Sequence, residues 1–392
     1  MTLVVTLPPG LENEAALAFA RRARMGGANA LELRSDFTRS VDAEALSEVV
    51  ALLVAERGPP APPSWLRHAT WVDGVSPTSA KRIDSWHAPV PLSPADAEAY
   101  WRPRRDSTVQ LKHVEPLGRL DEACRLLETQ RRLEGLGFAG ITVLATGPLA
   151  LPFRALLAGR NHFDFVALDA HWSAAPGQRL LADAVRERRS GRGSARLGIL
   201  GSAISGSRSP RVHRQPFDRI DLPEDAPVGA LVEVLRPFYA GFAVTSPFKL
   251  RFGPLAVNTL LASEHGWDTA NTDVEGARAV LARLEGEPVT LLGDGGATAA
   301  LRRAAANRRL RVLRRKEASA VVSGPVVWTW PAHVRVSEGL RFENARVAVI
   351  AYGAAGRRVS EEVRRRGGQP LALGARWFIA QARGQRALWE GR

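Results

Sequence analysis

Four lysines stand out in a chain whose other basic residues are all arginine. Lysine and arginine together number 54 in the 392 residues, and the lysines are Lys81, Lys112, Lys249 and Lys316. A lysine amine can lose its proton and act as a nucleophile or a proton carrier, whereas an arginine guanidinium effectively stays charged. We therefore expect some of these lysines to perform chemistry that arginine cannot. The alternative is that they are remnants of a drift toward arginine.

A second chemical feature is a glycine turn between a predicted strand and a predicted helix. Residues 289–292 predict the strand, and Gly293, Gly295, Gly296 and Ala297 follow it at the start of an alanine-rich helix. Such a turn lets the backbone approach a pyrophosphate at a helix N-terminus. The spacing is not a full dinucleotide fingerprint, so an ordinary tight turn is the alternative.

A basic cluster follows the next predicted strand, residues 310–313. Arg314, Arg315 and Lys316 stand where a dinucleotide-binding fold holds the adenine ribose. Positive charge at this place favours the 2′-phosphate of NADP over NAD. The alternative is an exposed basic turn. We predict NADP as the cofactor and no metal.

The elements that must position these residues alternate between strands and helices, which predicts the α/β class. The clearest strands are 3–7, 30–33, 109–112, 141–144 and 197–200, and the clearest helices are 13–25 and 120–132. An arginine- and glycine-rich linker covers 188–196, and a further break falls near Pro288. We predict domains at 1–190, 195–285 and 286–392.

Composition and charge argue against several classes of protein. Hydrophobic residues make up 45% and charged residues 24%, which is typical of a globular chain. No apolar run approaches the ~20 residues that span a bilayer, and the first residues lack the pattern of a secretory signal. The one cysteine, Cys124, allows no internal disulfide and favours the cytoplasm. The net charge of +14 is spread along the chain, so we predict small-molecule substrates, neither nucleic acid nor membrane as a partner, and a monomer or homodimer.

Five motifs in the second half resemble shikimate dehydrogenase. Residues 201–213, Gly-Ser-Ala-Ile-Ser-Gly-Ser-Arg-Ser-Pro-Arg-Val-His, resemble its serine motif, and residues 241–249, Gly-Phe-Ala-Val-Thr-Ser-Pro-Phe-Lys, resemble its G-x-N-V-T-x-P-x-K pattern. Ala-Val-Asn-Thr at 256–259, Asn-Thr-Asp at 271–273 and a closing helix at 374–381 follow in the family's order. The chain departs from the family at Ala243, where the family has Asn, and at Gly206, where it has His.

This resemblance implies a two-lobed α/β dehydrogenase with a Rossmann-like NADP domain. Lys249 and Asp273 would be the catalytic pair, with the lysine exchanging a proton with the substrate oxygen. Ser207 and Ser209 would bind the substrate carboxylate. The other substrate contacts that the resemblance implies are Thr245, Asn258, Gln381 and Tyr352.

The first half resembles type I dehydroquinate dehydratase, which is a (β/α)8 barrel. Residues 29–37, Asn-Ala-Leu-Glu-Leu-Arg-Ser-Asp-Phe, resemble its E-L-R-x-D strand, and Ser-Trp-His at 85–87 resembles its S-Y-H segment. Residues 147–154 and 173–178 are similar to its G-x-x-S-R and S-A-P-G-Q segments. Lys112 lies at the end of a predicted strand, as the Schiff-base lysine of that family does. Because a (β/α)8 barrel usually takes ~250 residues, we expect a shortened barrel here.

The resemblance to the dehydratase implies a role for each matching residue. Lys112 would form an iminium with the ketone of dehydroquinate, and His87 would move protons during the loss of water. Glu32 would position His87. The residues that would hold the substrate hydroxyls and carboxylate are Arg34, Arg154 and Gln178.

Together the two resemblances predict a bifunctional shikimate-pathway enzyme. The main alternative is an active dehydrogenase whose barrel is catalytically dead and serves as a scaffold. A further alternative is a non-enzymatic descendant that binds a ligand, a partner or nucleic acid.

Overall fold

The computed structural model describes residues 1–392 except 39–40, 120, 148, 176, 191–195, 214, 254–255, 315–319, 333, 335 and 392. The chain forms two compact units, Met1–Tyr239 and Ala240–Arg392. The division between them falls inside the segment 195–285, so the three predicted domain ranges stay a prediction.

Eight parallel strands form the barrel of the first unit. They are β1 (Thr2–Thr6), β2 (Ala30–Arg34), β3 (Ala51–Ala55), β4 (Ala69–Asp73), β5 (Lys81–His87), β6 (Gln110–Pro116), β7 (Gly140–Thr146) and β8 (Phe163–Val166). Their order in the sheet is β7-β6-β5-β4-β3-β2-β1-β8, and every paired neighbour is parallel. The predicted barrel is therefore confirmed.

Among the described residues of the first unit, seven helices connect or follow these strands. They are α1 (Asn13–Met25), α2 (Ala43–Val49), α3 (Pro63–His68), α4 (Pro94–Trp101), α5 (Asp121–Glu134), α6 (Ala150–Ala158) and α7 (Leu181–Ser190). Residues 74–80, all of them described, join β4 to β5 without a helix. Only three residue pairs join β4 and β5, so the chain has to return only about 10 Å from the end of β4 to the start of β5. Seven residues can span that distance without a helix. The missing helix is one reason why the barrel is short.

Side chains close the barrel where β7 meets β8. The amide of Asn161 donates to the carbonyl of Val143 and accepts from the Val143 backbone N–H, both at 2.9 Å. The hydroxyl of Thr142 accepts from the backbone N–H of Phe163 at 3.0 Å. A backbone hydrogen bond from His162 N to Ile141 O at 2.6 Å also joins the two chain segments. The side-chain bonds of Asn161 and Thr142 take the place of a regular backbone hydrogen-bond ladder between β7 and β8.

The first unit continues into a parallel strand pair after the barrel. The pair consists of β9 (Arg196–Gly201) and β10 (Phe217–Asp221), and the short helices α8 (Ser209–Val212) and α9 (Val228–Leu235) belong to the same unit. The loop between β9 and α8 contains the first part of the serine motif.

The second unit contains an antiparallel group and a parallel sheet. The antiparallel strands are β11 (Tyr239–Val244), β12 (Thr259–Ser263) and β13 (Gly266–Ala270). The parallel strands are β14 (Val289–Leu292), β15 (Leu310–Leu313), β16 (Val321–Trp328), β17 (Arg341–Val349) and β18 (Gln369–Ala372), in the order β15-β14-β16-β17-β18. The helices are α10 (Asp273–Leu281), α11 (Gly296–Ala304), α12 (Gly353–Arg365) and α13 (Gly374–Glu390). This Rossmann-like parallel sheet confirms the predicted fold of the C-terminal part.

Candidate active sites

The barrel interior holds Lys112 in a buried ion pair. The Nζ atom lies 3.0 Å from Oδ2 of Asp73 and 4.3 Å from the ring centroid of Phe165. Side chains alternate along a strand, so Lys112 faces inward, whereas its neighbour His113 faces outward and accepts from the indole N–H of Trp101 at 3.2 Å. Strand alternation on β6 thus brings the lysine into the barrel.

Asp73 is shared between two cations and was missed by the sequence analysis. Its Oδ2 also lies 2.5 Å from a guanidinium nitrogen of Arg57, which in turn lies 3.4 Å from Oγ of Ser85. Burial raises the pKa of Asp73, but the charges of Lys112 and Arg57 outweigh burial and hold the pKa below its ordinary value. The carboxylate is therefore ionised beside the lysine. The signal for Asp73 was its place at the end of an apolar strand, where barrel enzymes carry their catalytic groups.

His87 shares the inward face with Lys112. In the β5–β6 register Ser85 is paired with Lys112, and His87 is two residues beyond Ser85 on the same face of β5. The imidazole is exposed at the carboxyl end of the strand. Partial burial, followed by the charges of Lys112 and Arg57, lowers the pKa of His87 to about 4. The ring is consequently neutral at neutral pH and able to accept a proton.

Glu32 and Arg34, two predicted site residues on β2, each bind a neighbouring side chain. Glu32 is buried, and its carboxylate accepts from the hydroxyl of Thr6 at 2.5 Å. Arg34 pairs with Asp36 at 2.6 Å and stacks over the ring of Phe37. Among the described residues, no hydrogen bond joins Glu32 to His87, so the positioning role of Glu32 stays a prediction.

Arg154 is almost fully buried. It is on α6, and one guanidinium nitrogen donates to the carbonyl of Phe165 at 3.1 Å. Burial lowers the pKa of Arg154 to about 10, although Asp164 opposes the shift. Its Nε is buried and has no hydrogen-bond partner among the described residues. The carboxylate clamp by Arg154 therefore stays a prediction.

Gln178 follows β8 and faces a cavity of about 590 Å³. Its side-chain oxygen accepts from the backbone N–H of Ala174 at 2.9 Å, which closes the turn of the S-A-P-G-Q segment. The cavity is also lined by Arg179, Asp183 and Arg219, all in the first unit. The residues that line this cavity include neither Lys112 nor His87, so the substrate contact of Gln178 stays a prediction.

The two serines of the serine motif lie together at the start of α8. Their Oγ atoms are 3.3 Å apart, and the backbone N–H of Ser209 donates to Oγ of Ser207 at the same distance. Ser207 is half-buried and Ser209 is buried. A pair of adjacent hydroxyl groups can donate to the two oxygens of one carboxylate.

In the second unit, Lys249 and Asp273 form an ion pair. Nζ of Lys249 lies 2.5 Å from Oδ2 of Asp273, with 26% of the lysine side chain exposed and 4% of the aspartate side chain. Lys249 lies in a short 3₁₀ turn after β11, and Asp273 is the first residue of α10. The positive end of the helix dipole favours a carboxylate there. The structure thus brings together the two residues predicted to be the catalytic pair.

Asn258 is a buried link between β12 and α10. Its side-chain oxygen accepts from the backbone N–H of Thr272 at 2.7 Å and from the hydroxyl of Thr259 at 2.8 Å. Asn258 holds the residue that precedes Asp273. Thr245 lies in the loop after β11, where its carbonyl accepts from the backbone N–H of Phe248.

The closing helix α13 contacts Asn258 through a residue that the sequence analysis missed. Gln385 is buried and donates to the carbonyl of Asn258 at 3.0 Å. Gln381, the predicted contact, lies one turn earlier on the same face of α13. Tyr352 packs against Phe378 of that helix, with ring centroids 5.3 Å apart. The resemblance indicated the closing helix but not the turn of α13 that makes this contact.

The glycine turn has the backbone that a phosphate-binding turn requires. Gly293 has φ +125°, and a Cβ built on it would lie 2.6 Å from Oγ1 of Thr329, so only glycine fits. Gly295 precedes α11, and a Cβ there would meet nothing within 4 Å. A Cβ on Gly296, which is followed by Ala297, would lie 4.0 Å from Cδ of Lys249. The start of α11 therefore adjoins the lysine of the ion pair and fits a dinucleotide.

The basic cluster is described only in part. Arg314 is largely exposed and pairs with Asp294 of the glycine turn at 3.1 Å, and Arg302 also pairs with Asp294 at 3.3 Å. Arg315 and Lys316 lie outside the described residues. The carboxylate of Asp294 stands beside the group predicted to bind the 2′-phosphate, a feature that the sequence analysis missed.

Comparisons with known proteins bear on the predicted dehydrogenase. The shikimate dehydrogenases (NADP(+)) of Chlorobium phaeovibrioides and Microcystis aeruginosa are 33% and 34% identical, over 26% and 27% of this chain and 44% and 46% of their own lengths. Part of this chain is similar to shikimate dehydrogenases. The predicted resemblance is thereby confirmed for that part. The chain spans just under half the length of these shikimate dehydrogenases.

One solved structure aligns along the whole chain, and others align along about half of it. Dehydroquinate dehydratase and shikimate dehydrogenase from S. pombe AroM covers 100% of this chain and 95% of its own at 17% identity, with a TM-score of 0.37. The shikimate 5-dehydrogenase of Thermus thermophilus covers 50% of this chain and 94% of its own at 22% identity, with a TM-score of 0.42. No protein-family model matches the chain.

The described residues also bear on membranes and metal ions. No helix among them has the length and apolar character needed to cross a membrane. The same residues contain no group of three or more His, Cys, Asp or Glu side chains arranged to hold a metal ion.

Proposed function

We propose that this protein dehydrates 3-dehydroquinate to 3-dehydroshikimate and reduces 3-dehydroshikimate to shikimate with NADPH. The observation that carries the proposal is a lysine–carboxylate pair in each half. Lys112 pairs with Asp73 in the barrel, and Lys249 pairs with Asp273 beside the glycine turn. These are two of the four lysines in a chain that otherwise uses arginine. Similarity to shikimate dehydrogenases supports the second activity.

In the dehydratase, Lys112 is the nucleophile. Its nitrogen, once deprotonated, adds to the substrate ketone, and the ketone oxygen leaves as water to give an iminium. The iminium draws electrons from the adjacent carbon, so neutral His87 can remove a proton there. The hydroxyl on the next carbon then takes this proton back from His87 and departs as a second water, which leaves a carbon–carbon double bond. Hydrolysis of the iminium releases the product and restores Lys112. Asp73 stabilises the cationic iminium as it stabilises the ammonium group.

In the dehydrogenase, Lys249 provides the proton. The glycine turn and Arg314 would hold NADPH, which when bound would supply a hydride to the substrate ketone. Lys249 donates a proton to the ketone oxygen as negative charge develops on it. Asp273 keeps the lysine oriented and can accept from a substrate hydroxyl. Ser207 and Ser209 bind the carboxylate in this proposal.

An active dehydrogenase with an inactive barrel is the second candidate. Two observations favour it. Glu32 is bonded to Thr6 rather than to His87, and Arg154 is buried against a backbone carbonyl. In that case the barrel would catalyse no reaction and would serve only as a scaffold.

Two assays test the proposal on the purified chain. Shikimate with NADP should give NADPH, and the absence of NADPH under saturating substrates would overturn the dehydrogenase assignment. Borohydride added with dehydroquinate should reduce the iminium to a stable adduct on Lys112, found by mass spectrometry. The variant K112R is the control, because it keeps the charge but cannot form the iminium. No adduct on the wild-type chain would favour the second candidate.

The compartment and the assembly are proposed from the composition of the chain. The single cysteine, Cys124, is free and exposed. A reducing cytoplasm suits such a thiol. We propose a monomer or homodimer there, with small hydroxylated carboxylates as the ligands.

A further inference from the structure

The loop that leads into the two serines is fastened by neighbouring side chains of β10. The carboxylate of Asp221 accepts from the backbone N–H groups of Ala203 and Ile204 at 2.8 and 3.1 Å. One guanidinium nitrogen of Arg219 donates to the carbonyl of Ser207 at 2.7 Å. Residues two apart on a strand point to the same face. Together, Arg219 and Asp221 hold the loop at its two ends.

These side-chain bonds matter because the backbone of the loop is strained. Ala203 has φ +54°, in the left-handed region that side chains disfavour. Asp221 secures this residue directly through its backbone N–H. The position of Ser207 at the other end depends on Arg219.

Arg219 is itself held by the barrel. Its other terminal nitrogen forms an ion pair with Asp183 of α7, the last helix of the barrel. Both side chains are almost buried, with 10% of Arg219 and 6% of Asp183 exposed. The remaining nitrogen, Nε, has no hydrogen-bond partner among the described residues. The direction of the guanidinium, and hence its bond to the Ser207 carbonyl, is therefore set by Asp183.

We propose that Arg219 is a positioning residue for the substrate carboxylate and that Asp183 keeps it in place. The helix α7 thereby becomes part of the carboxylate-binding apparatus of the dehydrogenase, whether or not the barrel catalyses a reaction. This inference rests on the proposed function, in which Ser207 and Ser209 bind the carboxylate. It gives the barrel an effect on substrate affinity that is separate from its own chemistry.

The test is the kinetics of shikimate oxidation by full-length variants. In D183N the guanidinium loses its ionic partner, and in R219M the bond to Ser207 is lost as well. We expect the KM for shikimate to rise about tenfold in each, because a buried charge-assisted hydrogen bond of this kind is worth roughly that factor. The kcat and the KM for NADP should stay at the wild-type values.

A milder variant and a matched control separate positioning from stability. R219K keeps a buried charge, but an ammonium group lacks the rigid fork that reaches Asp183 and the Ser207 carbonyl together. E187Q weakens the other link between α7 and β10, in which Arg196 bridges Glu187 and Asp218. We expect a raised KM for shikimate in R219K and an unchanged KM in E187Q.

Shikimate methyl ester identifies which part of the substrate is affected. It lacks the carboxylate charge, so the Arg219 variants should lose their effect on its KM. Wild-type KM values for shikimate in D183N, R219M and R219K would overturn the inference while the proposed function stands. An equal rise for the ester, or an equal rise in E187Q, would also overturn it. If the wild-type chain does not oxidise shikimate, the proposed function fails and the inference fails with it.

Discussion

The ammonium group of Lys249 lies 2.5 Å from the carboxylate of Asp273, although 24 residues separate them in the chain. The pair forms because the turn after β11 meets the first residue of α10. Asn258 fixes that residue through its bond to the backbone N–H of Thr272. The start of α11 adjoins the same lysine. A proton donor, its carboxylate partner and a turn suited to a dinucleotide thus lie together in one unit.

The first prediction concerns the need for an amine at this position. K249R should lower kcat for shikimate oxidation at least about 100-fold, because a guanidinium does not release a proton at neutral pH. The matched control is K81R, since Lys81 is exposed on β5. Steady-state kinetics with both purified variants would measure the difference. Full turnover in K249R would contradict the assigned role.

The second prediction concerns the stability of the barrel. D73N removes the partner of a buried ammonium and should lower the free energy of unfolding by about 3 kcal/mol. Urea unfolding followed by circular dichroism measures the change. In D84N, at a half-buried aspartate on β5, the change should stay within about 0.5 kcal/mol. Equal midpoints for D73N and wild type would show that Asp73 is not the partner of Lys112 in solution.

The third prediction follows from the lowered pKa of His87. The folded protein keeps the ring neutral down to about pH 4, whereas in the unfolded chain it takes up a proton near pH 6.5. The unfolded state therefore binds more protons between these values, so this contribution to stability is complete above pH 6.5 and declines toward pH 4. H87Q should have a shallower loss of stability across this window than wild type.

The acid limb of dehydratase activity should likewise fall near pH 4. A limb near pH 6.5 would argue against a neutral His87 base with the lowered pKa.

The fourth prediction compares two glycines of the same turn. G293A should destabilise the second unit, because φ is +125° and the new Cβ would lie 2.6 Å from Oγ1 of Thr329. G295A has open space around its Cβ, so the fold should persist while NADP binding weakens through contact with the pyrophosphate. Thermal unfolding and NADP titration distinguish the two. Equal thermal midpoints for both variants would contradict the strain argument.

The fifth prediction concerns Asp294 and the choice of cofactor. Its carboxylate pairs with Arg314 and would compete with a 2′-phosphate for that guanidinium. D294N should improve the ratio of kcat/KM for NADP over NAD by about two- to fivefold, the range of an exposed ion pair. E287Q is the control, because Glu287 pairs with Arg308 and Arg309 with similar exposure. A ratio that shifts toward NAD in D294N would refute the competition.

Much of the fold could be predicted because period-two and helical patterns are local properties of the sequence. The same is true of Lys112, whose inward direction follows from strand alternation on β6. Asp73 was missed because its role comes from the distance between two strands, β4 and β6, that are not neighbours. The helix-free link of residues 74–80 was missed because it depends on how few residues of β4 and β5 pair.

A matching motif does not fix the direction of its side chains. Arg154 fits its segment in sequence, yet α6 directs it toward the carbonyl of Phe165. Gln381 fits the closing helix, while Gln385 makes the bond to Asn258. Side-chain direction depends on tertiary packing, and a motif carries no information on that packing.

In the account given above, Lys112 and Lys249 each catalyse one of two successive reactions. The most direct test of this account is a single assay with 3-dehydroquinate and NADPH. Consumption of NADPH then requires the Lys112 reaction followed by the Lys249 reaction. We expect the wild-type chain to consume NADPH with either 3-dehydroquinate or 3-dehydroshikimate, and K112R to do so only with 3-dehydroshikimate. If K112R consumed NADPH from 3-dehydroquinate as fast as wild type, or if the wild-type chain consumed none from either substrate, the account would be contradicted.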